Sequence, residues 1–236
     1  MPQIVFVPGL LCTADLFAPQ VEALPQGWEA TIANHTQDAT MEKIAARFLE
    51  GAPDRFTLVG LSMGGYVTLE VMRQAPERVT GLVLMDTSAR ADRDHQKQTR
   101  RDLVERARAE GLDAVLDQLL PVLIAKARQS DEALVSLVRK MAHDTGVDAF
   151  ARQQEAIMER GEAFDTLRAV NCPTLIVCGE DDTLTPPKLA REMVTCVPHA
   201  RIETVPASGH LSTLEQPEAL SEILNEFLRE IESQDS

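Results

Sequence analysis

Phe56-Thr57-Leu58-Val59-Gly60-Leu61-Ser62-Met63-Gly64-Gly65-Tyr66-Val67 is the stretch on which the reading of this chain turns. Phe56 to Val59 is a short apolar run of the kind that forms a strand buried on both faces. Tyr66 to Gln74 is helix-compatible and is stopped by Pro76. Between them stands Gly60-x-Ser62-x-Gly64, with a further glycine at Gly65. A serine at so tight a strand-to-helix turn must take a strained backbone conformation. It also needs neighbours without side chains, because strand and helix pass very close to each other there. The gain is chemical. Ser62 Oγ stands clear of the sheet at a helix N-terminus, where partial positive charge favours a developing anion. The N–H of Met63 faces the same spot and can donate to an oxyanion. A serine that merely caps the helix is the bland alternative, and the strand before and helix after weigh against it.

Working outward, the chain alternates. Gln3 to Val7 reads as a strand leaving through Pro8-Gly9-Leu10, and Glu29 to Ala33 as a second. Val79 to Met85 is a continuous apolar strand ending at Asp86; Thr174 to Cys178 and Arg201 to Val205 complete the set. Thr13 to Leu24 is a short helix capped by Thr13 or Asp15. Thr40 to Glu50, Lys188 to Cys196 and Pro217 to Ile231 are amphipathic helices, with Ser233 to Ser236 expected to fray. Strands alternating with such helices mean a parallel sheet covered on both faces. From about Asp92 to Gly161 the strand signal vanishes and only helical spacing remains, interrupted at Gly111 and Gly146. That insertion predicts a separate lid, residues 87–170, on a core made of 1–86 and 171–236.

Composition narrows the classes. With 236 residues, one domain with a subdomain is expected, and 44% hydrophobic with 25% charged residues is ordinary for a globular protein. Twenty-three basic against 37 acidic residues leave a net charge of −14, which argues against nucleic acid and anionic membrane as partners. Cys12, Cys172, Cys178 and Cys196 show neither metal-type spacing nor a disulfide framework, so reduced thiols in a cytoplasmic protein are expected. The N-terminus has no signal-type segment and no stretch is long and apolar enough to span a membrane.

In open parallel sheets ligands bind beyond the carboxyl ends of the strands. Four loops there carry residues of interest: Pro8-Gly9-Leu10, Ser62, Asp182 and His210. A serine hydroxyl is a weak nucleophile until a histidine takes its proton, and the histidine needs a carboxylate to hold its tautomer. Gly209 lets the last loop turn His210 back toward Ser62. The carboxylate is open between Asp182, its neighbours Glu180 and Asp181, and Asp86, which also ends a strand. His35 reads as a lone loop histidine, a surface or turn residue before a catalyst; His95, His143 and His199 have no placement comparable to His210.

The motifs Val7-Pro8-Gly9, Gly60-Leu61-Ser62-Met63-Gly64-Gly65, Gly179-x-x-Asp182-x-x-Thr185-Pro186 and Gly209-His210-Leu211-x-x-Leu214-Glu215-Gln216-Pro217 resemble those of the α/β-hydrolases of the esterase, lactonase and non-haem-haloperoxidase-like group. The resemblance covers the chain apart from the lid. It implies an α/β-hydrolase fold: a mainly parallel sheet of about six strands, with the lid inserted before the strand that precedes the acid. It further implies Ser62 as nucleophile, Asp182 as acid and His210 as base, with the N–H groups of Met63 and Leu10 as oxyanion donors. Where many relatives have His-Gly, this chain has Pro8-Gly9, and Cys12 stands in place of a glycine. The expected activity is cofactor-free and metal-free hydrolysis of small carboxylic esters through an acyl-enzyme. Lactonase, thioesterase, carbon–carbon hydrolase or perhydrolase activity on the same residues is the first alternative, and a non-catalytic ligand receptor the second.

Leu116 to Ala125 narrows the substrate. Seven of its ten residues are apolar, with Pro121 interrupting the helix, so it is expected to bury a second face, against other lid helices or over Ser62. No Arg or Lys falls between Leu112 and Ala125, which points to neutral, moderately apolar esters.

Overall fold

The computed structural model describes residues 1–234. Its strands and helices follow in the order β1 (Gln3–Val7), α1 (Ala18–Glu22), β2 (Glu29–Ile32), α2 (Met41–Gly51), β3 (Phe56–Leu61), α3 (Met63–Gln74), β4 (Val79–Met85), α4 (Asp94–Glu110), α5 (Leu112–Leu123), α6 (Glu132–Thr145), α7 (Val147–Glu159), α8 (Phe164–Arg168), β5 (Thr174–Gly179), α9 (Pro187–Cys196), β6 (Arg201–Val205), α10 (Ser212–Glu215) and α11 (Pro217–Gln234). A 3₁₀ turn, Ala14–Phe17, precedes α1, and Thr13 is its cap, accepting from the Asp15 N–H. Of the end expected to fray, Ser233 and Gln234 belong to α11, and the rest of that stretch lies outside the described residues.

The sheet order is β2-β1-β3-β4-β5-β6, and every neighbouring pair is parallel. The burial pattern explains why the central strands read as unbroken apolar runs. β3 and β5 are buried at every residue because helices cover both sheet faces. On one face Ile4, Phe6, Val59, Val83 and Leu175 pack with Leu220, Leu224, Phe227 and Ile231 of α11. On the other, Val5, Leu58, Leu82 and Ile176 pack with Ile44 and Phe48 of α2, Val67 and Val71 of α3, and Met193 of α9.

Between β4 and β5 the chain makes five helices and no strand, as the spacing predicts. Gly111 and Gly146 separate consecutive helices at φ +88° and +80°, a region costly for residues with a Cβ. The buried faces of these helices, including Leu103, Leu116, Val138 and Phe150, are continuous with the core over β1 and β3. No helix among the described residues is long and apolar enough to cross a membrane. All four cysteines are unpaired.

The topology sets where a ligand can sit. From β1 the chain goes outward to β2, then returns to add β3 on the other side of β1. The loops after β1 and β3 therefore lie side by side at a reversal of strand order, where the carboxyl ends leave a crevice. Register puts Val7 beside Gly60, so Pro8-Gly9-Leu10 runs next to Leu61-Ser62.

Candidate active site

Ser62 occupies the turn between β3 and α3 with φ 56° and ψ −116°, a conformation that costs an L-residue energy and persists only where the surroundings enforce it. The enforcement is visible. The Ser62 N–H donates to the Met85 carbonyl at 2.9 Å, and the Thr87 hydroxyl donates to the Ser62 carbonyl at 2.8 Å. A Cβ at Gly64 would sit 1.9 Å from the Val7 carbonyl oxygen, and one at Gly60 would sit 2.5 Å from the Gly64 backbone. The glycines of the motif are thus required by contact between β1, β3 and α3.

Ser62, His210 and Asp182 are brought together. His210 Nε2 lies 2.8 Å from Ser62 Oγ, and His210 Nδ1 lies 2.8 Å from Asp182 Oδ2. The remaining capacity of Asp182 is filled: Oδ1 accepts the N–H groups of Leu184 and Thr185 at 2.8 and 2.9 Å, and Oδ2 accepts the Thr185 hydroxyl at 2.6 Å. His210 is 1% exposed and Asp182 3%. Burial alone would raise the Asp182 carboxyl, but the His210 charge and these hydrogen bonds outweigh it and hold the group below the usual carboxylate range. Burial would likewise lower His210; the facing Asp182 carboxylate reverses this and raises it.

Asp86, the rival carboxylate, does not hydrogen-bond the imidazole. It is fully buried at φ 46°, accepting the Gly179 N–H at 2.7 Å and the Ser212 hydroxyl at 2.5 Å. Burial and the nearby Asp182 charge push it up to about 7. Its oxygens come within 4.8 Å of Asp182 and Cys178 donor atoms. Of the three, Asp182 is engaged by His210, Asp86 by Ser212 and Gly179, and the Cys178 thiol by the Gly179 and Thr185 carbonyls. A donor set so occupied does not suit a metal. The other neighbours of Asp182 fall away too: Glu180 and Asp181 are exposed.

Two residues beyond Ser62, His210 and Asp182 anchor the loops. Glu215 is buried, and its carboxylate accepts the N–H groups of Ala125 at 2.8 Å, Gly209 at 3.0 Å and Leu211 at 3.2 Å. With the bond from the His210 N–H to the Leu123 carbonyl at 3.1 Å, this fastens the end of α5 to the loop that carries the imidazole. His35 is no surface residue: it is 2% exposed, with Nε2 2.9 Å from the Gly9 carbonyl oxygen and 3.1 Å from Gln153 Nε2. Glu215 was in view as part of a motif; nothing local marked His35 or Gln153, which lie 118 positions apart.

Ser62 and His210 open into a cavity of about 430 Å³. Its walls are mostly apolar, from Leu10 and Leu11 of the first loop to Leu116, Leu119, Val122 and Leu123 of α5. The second apolar face of α5 therefore does border the cavity, while Leu112, Val115 and Leu116 also pack inward. One cation escaped the reading of α5 alone. Arg100 of α4 lines the same cavity, but its Nε donates to Asp92 at 2.5 Å and its Nη1 to Gln154 at 2.8 Å. The N–H groups of Leu10 and Met63, expected to face an oxyanion, have no acceptor among the described residues.

The sequence profile of the alpha/beta hydrolase fold matches residues 31–217. Over 200 residues the chain is 31% identical to a Mycobacterium tuberculosis protein named "Putative non-heme bromoperoxidase", covering 78% of this chain and 71% of that one. Among solved structures, a thermophilic esterase from Thermogutta terrifontis, with malate bound, superposes with a TM-score of 0.89 at 28% identity, covering 98% of this chain and 90% of the other. The enol-lactonase of Burkholderia xenovorans shares the fold, with a TM-score of 0.85 at 23% identity over 97% of this chain and 91% of its own.

Proposed function

The chain belongs to the alpha/beta hydrolase fold family, and we propose that it is a serine hydrolase of carboxylic esters acting through an acyl-enzyme on Ser62. The observation that carries this reading is the pair of 2.8 Å contacts, Ser62 Oγ to His210 Nε2 and His210 Nδ1 to Asp182, opening into an apolar cavity. Ser62 Oγ attacks the ester carbonyl as His210 Nε2 takes its proton. Asp182, kept ionised, holds the Nδ1–H tautomer and stabilises the imidazolium. The N–H groups of Met63 and Leu10 receive the developing oxyanion. His210 then returns its proton to the leaving alcohol, and water, deprotonated by the same imidazole, releases the acid.

Residues 87–170 serve as the lid, with α5 as the roof over Ser62, on a core of 1–86 and 171–236. The apolar wall supports neutral, moderately apolar substrates, since Arg100 is already engaged by Asp92. Each buried methylene adds about 0.8 kcal/mol, so chain-length preference is graded. The unpaired thiols support a cytoplasmic setting. Perhydrolysis, with peroxide in the place of water, is the second reading, favoured by the bromoperoxidase named among the relatives. The test is turnover of a short p-nitrophenyl ester by wild type and by Ser62→Ala, which the turn accommodates. Loss of several orders of magnitude in folded Ser62→Ala supports the proposal; near-normal activity ends it.

A further inference from the structure

The loop after β1 is held by side chains from two distant parts of the chain, and what they hold is a pair of consecutive peptide groups. The Gly9–Leu10 unit carries the Gly9 carbonyl on one side and, being trans, the Leu10 N–H on the other. The carbonyl is occupied twice, by the Cys12 N–H at 3.1 Å and by His35 Nε2 at 2.9 Å. The next peptide is held as well: the Leu11 N–H donates to Gln153 Oε1 at 3.2 Å, and the Cys12 thiol contacts the Leu10 carbonyl at 3.4 Å. Leu11 is at φ +58°, a conformation that needs such restraint. Between these pinned groups the Leu10 N–H has no acceptor and must point away from His35. The opposite side is where the chemistry is. A Cβ built on Gly9 would lie 3.5 Å from Ser62 Cβ, and Gly9 and Leu10 line the cavity with Ser62 and His210.

We propose that His35 and Gln153 are positioning residues of the reaction: they fix the Gly9–Leu10 peptide so that the Leu10 N–H faces the oxyanion formed at Ser62. The inference rests on the hydrolase reading above. It accounts for two buried polar side chains that the triad does not use, His35 at 2% exposure and Gln153 at 0%. Burial keeps the His35 ring below the usual imidazole range despite its bond to Gly9, so the ring is neutral and adds no charge beside the oxyanion. The Gly9 carbonyl can only accept, which assigns the ring proton to Nε2 and makes the Gln153 amide nitrogen, 3.1 Å away, a packing contact. Its polarisation of the Gly9 carbonyl also strengthens the N–H on the far side of the same peptide. Gln153 stands on α7, so the helical insertion supplies part of this restraint to the core loop.

The discriminating experiment separates transition-state from ground-state binding. Gln153→Met nearly keeps the volume and removes the acceptor for Leu11; His35→Phe removes the donor to Gly9; His35→Gln returns an amide N–H. For each, kcat and KM are measured on a short p-nitrophenyl ester. Inhibition is measured with an alkyl boronic acid, which forms a tetrahedral anion on the serine, and with a matching alkyl amide. Deleting an oxyanion donor outright costs 10²–10³ in kcat, so misaiming it should cost about 10- to 100-fold. Boronate affinity should fall in parallel, with KM and amide affinity nearly unchanged, and His35→Gln should recover most of the loss. kcat per folded enzyme within about twofold of wild type, or equal losses for boronate and amide, would overturn the proposal. If Gln153→Met does not fold, the His35→Phe and His35→Gln pair decides by the same criteria. Absence of turnover in wild type removes the hydrolase reading and this one with it, and is seen before any variant is compared.

Discussion

Asp86→Asn should make this protein more stable at pH 8 while leaving most of its activity. Asp86 is fully buried, and burial together with the Asp182 charge takes its carboxyl from an ordinary 3.8 to about 7. The sign follows from linkage. Below 3.8 the group is protonated in folded and unfolded chains alike and contributes no difference. Between 3.8 and 7 the unfolded chain ionises first, so folding loses stability as pH rises. Above 7 the whole penalty is present, about 3 pH units at 1.36 kcal/mol each, or about 4 kcal/mol. Asparagine removes the ionisation and keeps an acceptor for the Gly179 N–H, while its amide donates to Ser212 Oγ. It leaves one amide hydrogen without a partner, which costs about 1–3 kcal/mol. The net expectation is a gain of about 1–3 kcal/mol at pH 8. At pH 4 little of the penalty has developed and the cost of the unpaired amide hydrogen outweighs it, so Asn is the less stable form. Urea unfolding of wild type and variant at pH 4, 6 and 8 measures this directly, and the difference between them cancels groups that titrate equally in both. A stability difference that does not move in favour of Asn between pH 4 and pH 8 would refute the burial argument.

Asp182→Asn should lower kcat by about 10⁴-fold, by leaving His210 in the wrong tautomer, against a far smaller loss for Asp86→Asn; steady-state kinetics of the two variants ranks them, and a reversed ranking would reassign the acid. Because Asp182 raises His210, and the base must be neutral to act, kcat/KM should fall on the acid side with a midpoint above the ordinary histidine value of 6.5. A pH–rate profile with its acid limb below that value would contradict the pairing. In a panel of esters matched except for a terminal carboxylate, the neutral member should be preferred; a clear preference for the anion would make Arg100 an anchor despite Asp92.

The sheet and the Ser62 turn were legible because each leaves a local mark. Continuous apolar runs such as Val79 to Met85 belong to strands buried on both faces, and the glycines around Ser62 answer backbone contacts that no side chain could share. The choice between Asp86 and Asp182 was not local. Both follow strands, and only the path of the loop after β5 brings Asp182 to Nδ1 while Asp86 turns to Ser212. The burial of His35 is not local either. A solitary histidine in a loop carries no signal of burial, and its partners come from the first loop and from α7. Arg100 carries no mark of its own on a helix crowded with charged residues; its place in the cavity wall depends on how α4 packs beside α5 and α7.

The central claim is an acyl group carried on Ser62, and an acid-quenched reaction read by mass spectrometry tests it most directly. Wild type mixed with a slowly deacylating p-nitrophenyl ester should gain the mass of one acyl group, on the peptide that contains Ser62. The adduct should form as fast as the burst of p-nitrophenol and be absent from Ser62→Ala. Turnover that proceeds without an adduct on Ser62, or that persists in Ser62→Ala, would contradict the account.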